Sequence, residues 1–232
     1  MRELKTLRAR ETGTGYLIEH DAGFISPTEE RNQPFINEVK KLGSGSAIIT
    51  EPLNVIAVLQ KYGIENRNGR VYPEAILRAQ AIEYEKLVAD NRALGELDHP
   101  ESSIISAKDV SHNITKIWWE GVTLMGELDI IMSPGFVNYG IISCEGDKVA
   151  NYLRRGIKIG VSSRGVGSVD DISGVQMVQS DFELICWDVV TNPSTPGSWI
   201  FRNNNEAGAF KESVDEKNPT NLGSGLDTFL LG

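Results

Sequence analysis

Cysteine is scarce in this chain of 232 residues: only Cys144 and Cys186 occur, and neither belongs to a Cys-x-x-Cys pair. That usage suits a reducing compartment, and both thiols are expected as small buried hydrophobes. Histidine is rare as well, with three residues. The Cys and His spacings match no metal motif, so neither a metal nor another cofactor is expected. No apolar run is long enough to span a bilayer, and Met1-Arg2-Glu3-Leu4-Lys5 lacks a signal-peptide core. These absences predict a soluble, intracellular protein with no membrane partner. Positive charge is also short: 23 Lys and Arg against 32 Asp and Glu leave a formal net charge of −9. With no basic stripe to neutralise phosphates, nucleic acid is not an expected partner.

What the chain does have is β-branched and apolar sequence in short runs between turn signals. Residues 1–45 are poor in periodic apolar pattern and end in Gly43-Ser44-Gly45-Ser46, and residues 203–232 are tail-like around Asn203-Asn204-Asn205 and Gly223-Ser224-Gly225. The packed domain is expected over 46–202. Within it, 47–50 and 55–59 read as strands. Asn66-Arg67-Asn68-Gly69-Arg70 reads as a turn, and Pro73 as the first turn of a helix carrying Ile76, Leu77, Tyr84, Leu87 and Val88 at helical spacing. Strands are expected at 108–119 and 122–131, the second with Val122, Leu124, Leu128 and Ile130 on one face and Gly121 in the turn between them. A second helix fits 146–155 with Gly156 as its C-cap. Strands follow at 157–163 and about 175–190. The expected fold class is mainly β with surrounding helices, and a closed or orthogonally packed barrel would protect the strand edges.

Chemistry concentrates in Lys158-Ile159-Gly160-Val161-Ser162-Ser163-Arg164-Gly165-Val166-Gly167-Ser168, where two hydroxyls and a guanidinium lie between glycines. Serine becomes a nucleophile when a base takes its proton, and histidine, with a pKa of about 6.5, is the natural base. Spacing leaves Ser162 and Ser163 equal candidates. His99 is the best base: it ends the run Leu94-Gly95-Glu96-Leu97-Asp98-His99, and Pro100 holds it extended. His112, in a strand between Val110 and Ile114, fits a core or surface role, and His20 a solvated one. Asp188 interrupts the apolar run 184–190, where a carboxylate is costly without a partner. Its two readings are a partner for His99 or a strand-end residue reaching water. Arg164 either pairs with a carboxylate or offers its guanidinium and backbone N–H to an oxyanion, as each such donor is worth ~2.7–4 kcal/mol.

Taken together, these motifs resemble the prohead core proteases of large contractile-tailed phages of the T-even type, related to the herpesvirus assembly proteases. The resemblance is carried by 66–73, 94–100, Ile117-Trp118-Trp119, 160–168, and Asp188-Val189-Val190 followed by Pro193-Ser194 and Pro196. It implies a herpesvirus-protease-like β-barrel and a serine endopeptidase, with Ser162 as nucleophile, His99 as base, and Arg164 with Ser163 at the oxyanion. The third member is Asp188, with His112 as the herpesvirus-like alternative. No catalytic role falls on Asp98. The implied partners are phage scaffold and core proteins and the major capsid protein precursor, met inside the prohead in the host bacterial cytoplasm. A homo-oligomer is compatible, since the herpesvirus relatives require a dimer. Relatives cleave after glutamate in [Leu/Ile]-x-Glu, so Leu17-Ile18-Glu19 and Ile36-Asn37-Glu38 are expected self-cleavage sites, at Glu19 and Glu38, in a propeptide-like 1–45. The rival readings are a non-enzymatic internal head or scaffold protein and a hydrolase of another substrate class.

Overall fold

The computed structural model describes residues 5–7, 10–18 and 53–201, with eleven strands and three helices among them. In chain order these are β1 (Lys5–Thr6), β2 (Gly13–Ile18), β3 (Leu53–Lys61), β4 (Arg70–Val71), α1 (Glu74–Ala89), β5 (Leu94–Glu96), β6 (Val110–Glu120) and β7 (Thr123–Ile130). Then come α2 (Pro134–Tyr139), α3 (Glu145–Arg155), β8 (Gly160–Ile172), β9 (Val175–Val178), β10 (Glu183–Val190) and β11 (Ile200–Phe201). One sheet runs β11-β3-β7-β6-β5. The other runs β1-β2-β8-β9-β4, with β10 also paired to β8.

The main core draws Ala57 and Leu59 from β3, Leu124 and Leu128 from β7, Val161 from β8, and Trp187 and Val189 from β10. Helices α1 and α3 complete it with Ala81, Tyr84, Val149 and Leu153. Burying each large apolar side chain contributes about 1.5–3 kcal/mol. The Tyr84 and Trp187 rings meet edge-on, centroids 4.7 Å apart, the arrangement the ring quadrupoles favour.

Most expected elements appear, with instructive shifts. Pro73 stands at the N-cap of α1, not inside its first turn. Leu124, Leu128 and Ile130 are buried on β7 as expected, but Val122 lies in the turn beside Gly121 and is exposed. The stretch read as one strand at 175–190 is two, β9 and β10. Strand β8 extends to Ile172 and folds back through Ser173-Gly174, both at positive φ (56° and 87°), the signature of a tight hairpin. Helix α2 was not foreseen, although Ser133-Pro134 is a helix-start signal, and the Ser133 hydroxyl caps the Phe136 N–H at 3.1 Å. Cys144 is only partly buried and precedes α3, its thiol donating to the Ile131 carbonyl; Cys186 is buried as expected. The strand expected at 47–50 lies outside the described residues, as do 203–232. Residues 13–18, within the stretch read as a loose 1–45 segment, form a strand on β8.

The expected closed barrel is not what the ladders describe. The two sheets join through isolated bridges, Leu97 to Val189 and Gly160 to Trp199. Among the described residues no continuous ladder closes the two sheets into a barrel.

Candidate active site

Strand β8 lies antiparallel to β10, with Ser162 directly opposite Asp188, Ser163 opposite Trp187, and Arg164 opposite Cys186. Directly opposed residues share a face of the sheet, with Cβ atoms about 4.5–5.5 Å apart. Ser162, Arg164, Cys186 and Asp188 therefore share one face. Ser163 turns to the other with Val161 and Trp187, which belong to the main core. The alternation of a strand separates the two serines that spacing could not.

His99 is brought to Asp188 by backbone pairing, not by proximity in sequence. After β5, Leu97 bridges Val189, and the Asp98 N–H donates to the Val189 carbonyl at 2.7 Å. Asp98 adopts φ 74°, and its carboxylate accepts the His99 N–H at 2.9 Å. This left-handed kink, which Asp tolerates better than most residues, directs the imidazole inward. His99 Nδ1 and Asp188 Oδ2 are 2.7 Å apart, with both side chains fully buried. Gly95 lets β5 lie this close to β10: a Cβ there would stand 2.3 Å from the Trp187 carbonyl oxygen and 2.4 Å from the His112 ring.

Asp188 is held by several donors at once. The Glu96 N–H donates to its Oδ1 at 2.9 Å, and Arg164 Nη2 donates to the same oxygen at 3.2 Å. Arg164 Nε lies 2.9 Å from Oδ2 as an ion pair. Burial alone would raise the Asp188 pKa, but the His99 hydrogen bond, the charges of His99 and Arg164, and the Glu96 N–H outweigh it and hold the carboxyl below its ordinary value. An ionised Asp188 is acceptor-only, so His99 Nδ1 carries the proton of their hydrogen bond. In the neutral imidazole, Nε2 is then the basic nitrogen.

The Arg164 guanidinium is itself buried and spread over carboxylates: Nη2 donates to Glu96 Oε2 at 2.6 Å, and Nη1 to the Ser102 carbonyl at 2.9 Å. Glu96 accepts on its other oxygen from the Ser106 N–H. The guanidinium thus takes the carboxylate-pairing alternative, and the Ser163 hydroxyl lies on the far face. Sequence reasoning assigned Glu96 no role; its signal was a carboxylate in an apolar run, the anomaly that singled out Asp188. Cys186 Sγ lies 3.2 Å from both Arg164 Nη2 and Asp188 Oδ1, and burial pushes its thiol pKa well up, which keeps it protonated.

His112 is buried beside this cluster but faces other partners. Its Nε2–H donates to the Trp187 carbonyl at 3.1 Å, which leaves Nδ1 to accept from the Ser111 hydroxyl at 2.9 Å. Burial lowers its pKa to about 4, against the opposing influence of Asp188 and the Trp187 carbonyl. It braces the strand that carries Asp188. Glu19, Glu38 and His20 lie outside the described residues, and no group of three metal-ligating side chains occurs among those described.

The chain as a whole has relatives among known proteins. Residues 22–207 match the family described as prohead core protein serine protease. The chain belongs to that family. It is 33% identical over 151 residues to the prohead core protein protease of Enterobacteria phage T4, an alignment spanning 64% of this chain and 68% of the relative. The structure of the bacteriophage T4 capsid assembly protease, gp21, superposes with a TM-score of 0.55 at 30% identity, covering 60% of this chain and 81% of that one. The mainly β architecture with its two sheets is thus a fold shared with gp21.

Proposed function

We propose that the chain is a serine endopeptidase of prohead maturation, with Ser162 as nucleophile, His99 as general base and Asp188 as the acid that orients it. One observation carries this reading: Asp188 stands opposite Ser162 in the β8–β10 ladder and at the same time holds His99 Nδ1 at 2.7 Å. Ser162 Oγ attacks the scissile carbonyl carbon while His99 Nε2 takes the hydroxyl proton. The imidazolium so formed is stabilised by Asp188 inside a cluster whose other charges, Glu96 and Arg164, offset one another. His99 then returns the proton to the departing amine, leaving an acyl-enzyme on Ser162. Water, deprotonated by the same Nε2, releases it. With the Arg164 guanidinium engaged by carboxylates, the oxyanion falls to backbone N–H groups of the Ser163–Arg164 stretch.

The substrates are phage scaffold and core proteins and the major capsid protein precursor, cut after glutamate in [Leu/Ile]-x-Glu contexts inside the prohead. Self-cleavage after Glu19 and Glu38 would remove residues 1–38, most of the propeptide-like 1–45, ahead of a protease domain over 46–202. Replacing Ser162→Ala tests the assignment: uncut precursors accumulate and proheads stall while the protein stays folded. Normal maturation with this variant would favour a non-enzymatic core component.

A further inference from the structure

Strand β2 runs antiparallel along β8 from the Gly13–Val169 pair to the Ile18–Arg164 pair, so its carboxyl end stops two positions short of Ser162. Leu17, opposite Gly165, is wholly buried in an apolar pocket with Tyr72, Leu77, Val169 and Phe182. A Cβ on Gly165 would collide with the Phe182 ring at 2.4 Å, so the glycine allows that ring to help form the pocket. Strand β1 pairs with β2 on its other side. Two buried side chains hold the segment: Arg70 Nη2 donates to the Leu7 carbonyl at 2.7 Å, and Gln176 Nε2 to the Glu11 carbonyl at 3.0 Å. The family match starts at residue 22, so β1 and β2 both precede it.

A peptide strand added to a sheet edge gains its affinity from backbone hydrogen bonds and its selectivity from pockets for alternate side chains. The β2–β8 pairing has both features, on the strand that carries Ser162. A peptide laid in the register of β2 and running one residue beyond the position of Ile18 would place its next bond beside the Ser162–Ser163 step. We infer that β2 is a resident strand on the peptide-docking edge of β8: an extended peptide, with an aliphatic side chain in the Leu17 pocket and its carboxyl side towards Ser162, takes this edge only when β2 leaves. The inference rests on Ser162 being the nucleophile, and it makes the chain's own N-terminal segment its first competitor.

Binding is measured in full-length Ser162→Ala protein, so that no cleavage is needed for the readout. The probe is a fluorescent peptide corresponding to residues 13–19. Apparent affinity scales with the fraction of molecules whose edge is open. Adding Leu17→Asp to dislodge β2 should therefore raise affinity roughly tenfold or more, and a peptide carrying Asp in place of its leucine should not bind. As a second arm, Thr14→Cys with Ser168→Cys places cysteines at directly opposed positions. The oxidised, locked protein should bind less peptide than the same protein reduced. Equal binding by oxidised and reduced protein, or a folded Leu17→Asp variant that binds no better than its parent, overturns the inference. Peptide binding as expected, with no cleavage by the unmutated Ser162 protein, would instead overturn the protease assignment alone.

Discussion

Asp188 shows how a residue that looks misplaced in sequence becomes the centre of a site. A carboxylate in an apolar strand is costly to bury, and here the cost is offset by His99, the Glu96 N–H and Arg164. If Asp188 is the orienting acid proposed above, Asp188→Asn should keep the fold but remove the acceptor that sets the His99 tautomer, lowering kcat by about 10^4, as loss of the acid does in Ser-His-Asp triads; steady-state hydrolysis of a peptide substrate measures it. Glu96 makes a different prediction. Glu96→Ala removes one carboxylate from a fully buried guanidinium, and breaking such a pair costs about 3–5 kcal/mol. Urea denaturation should show that loss as a lower midpoint.

At the scale of elements, the site is a property of strand pairing. The β8–β10 register decides which serine shares a face with Asp188, since a slip of one residue would present Ser163 instead. Strand β5 reaches β10 only because Gly95 has no side chain. Gly95→Ala would drive a methyl group to 2.3 Å from the Trp187 carbonyl oxygen and against His112. Such overpacking costs typically about 1–3 kcal/mol, and here it displaces the loop that carries His99. A lowered Tm together with lost hydrolysis is the expected outcome, read by thermal unfolding and by peptide cleavage. An unchanged Tm would mean that β5 does not sit flush on β10.

For the whole molecule, buried titratable groups set how stability depends on pH. His112 binds a proton near pH 6.5 when unfolded but only at about pH 4 in the fold. Between those values the unfolded state holds more protons, so stability falls as pH drops through this window, by about 2 kcal/mol at pH 5 relative to neutral pH. Asp188, with its pKa lowered, adds a further loss in more acid solution, as pH falls through its folded value. Urea midpoints between pH 7 and pH 4.5 should follow this course, and His112→Gln should flatten it. A wild-type midpoint independent of pH over that range would contradict the buried neutral His112.

Local order alone was enough to expose the ingredients: a serine pair among glycines, a histidine held by proline, a carboxylate out of place, and most strands and two helices from their periodicity and caps. These are short-range properties, decided by residues a few positions apart. Sequence spacing left Ser162 and Ser163 equal, Asp188 with two readings, and Arg164 divided between oxyanion and ion pair, because each depends on contacts between segments roughly twenty to ninety positions apart. The family resemblance pointed to Ser162 and Asp188, but where each side chain stands was a matter for the tertiary structure alone. The β8–β10 register put Ser162 and Asp188 on one face, the bridge from Leu97 to Val189 delivered His99, and a buried Glu96 drew the guanidinium to the carboxylates. A strand's alternation can be read along the chain, but which partner lies beside it, and in what register, is settled when the sheets pack.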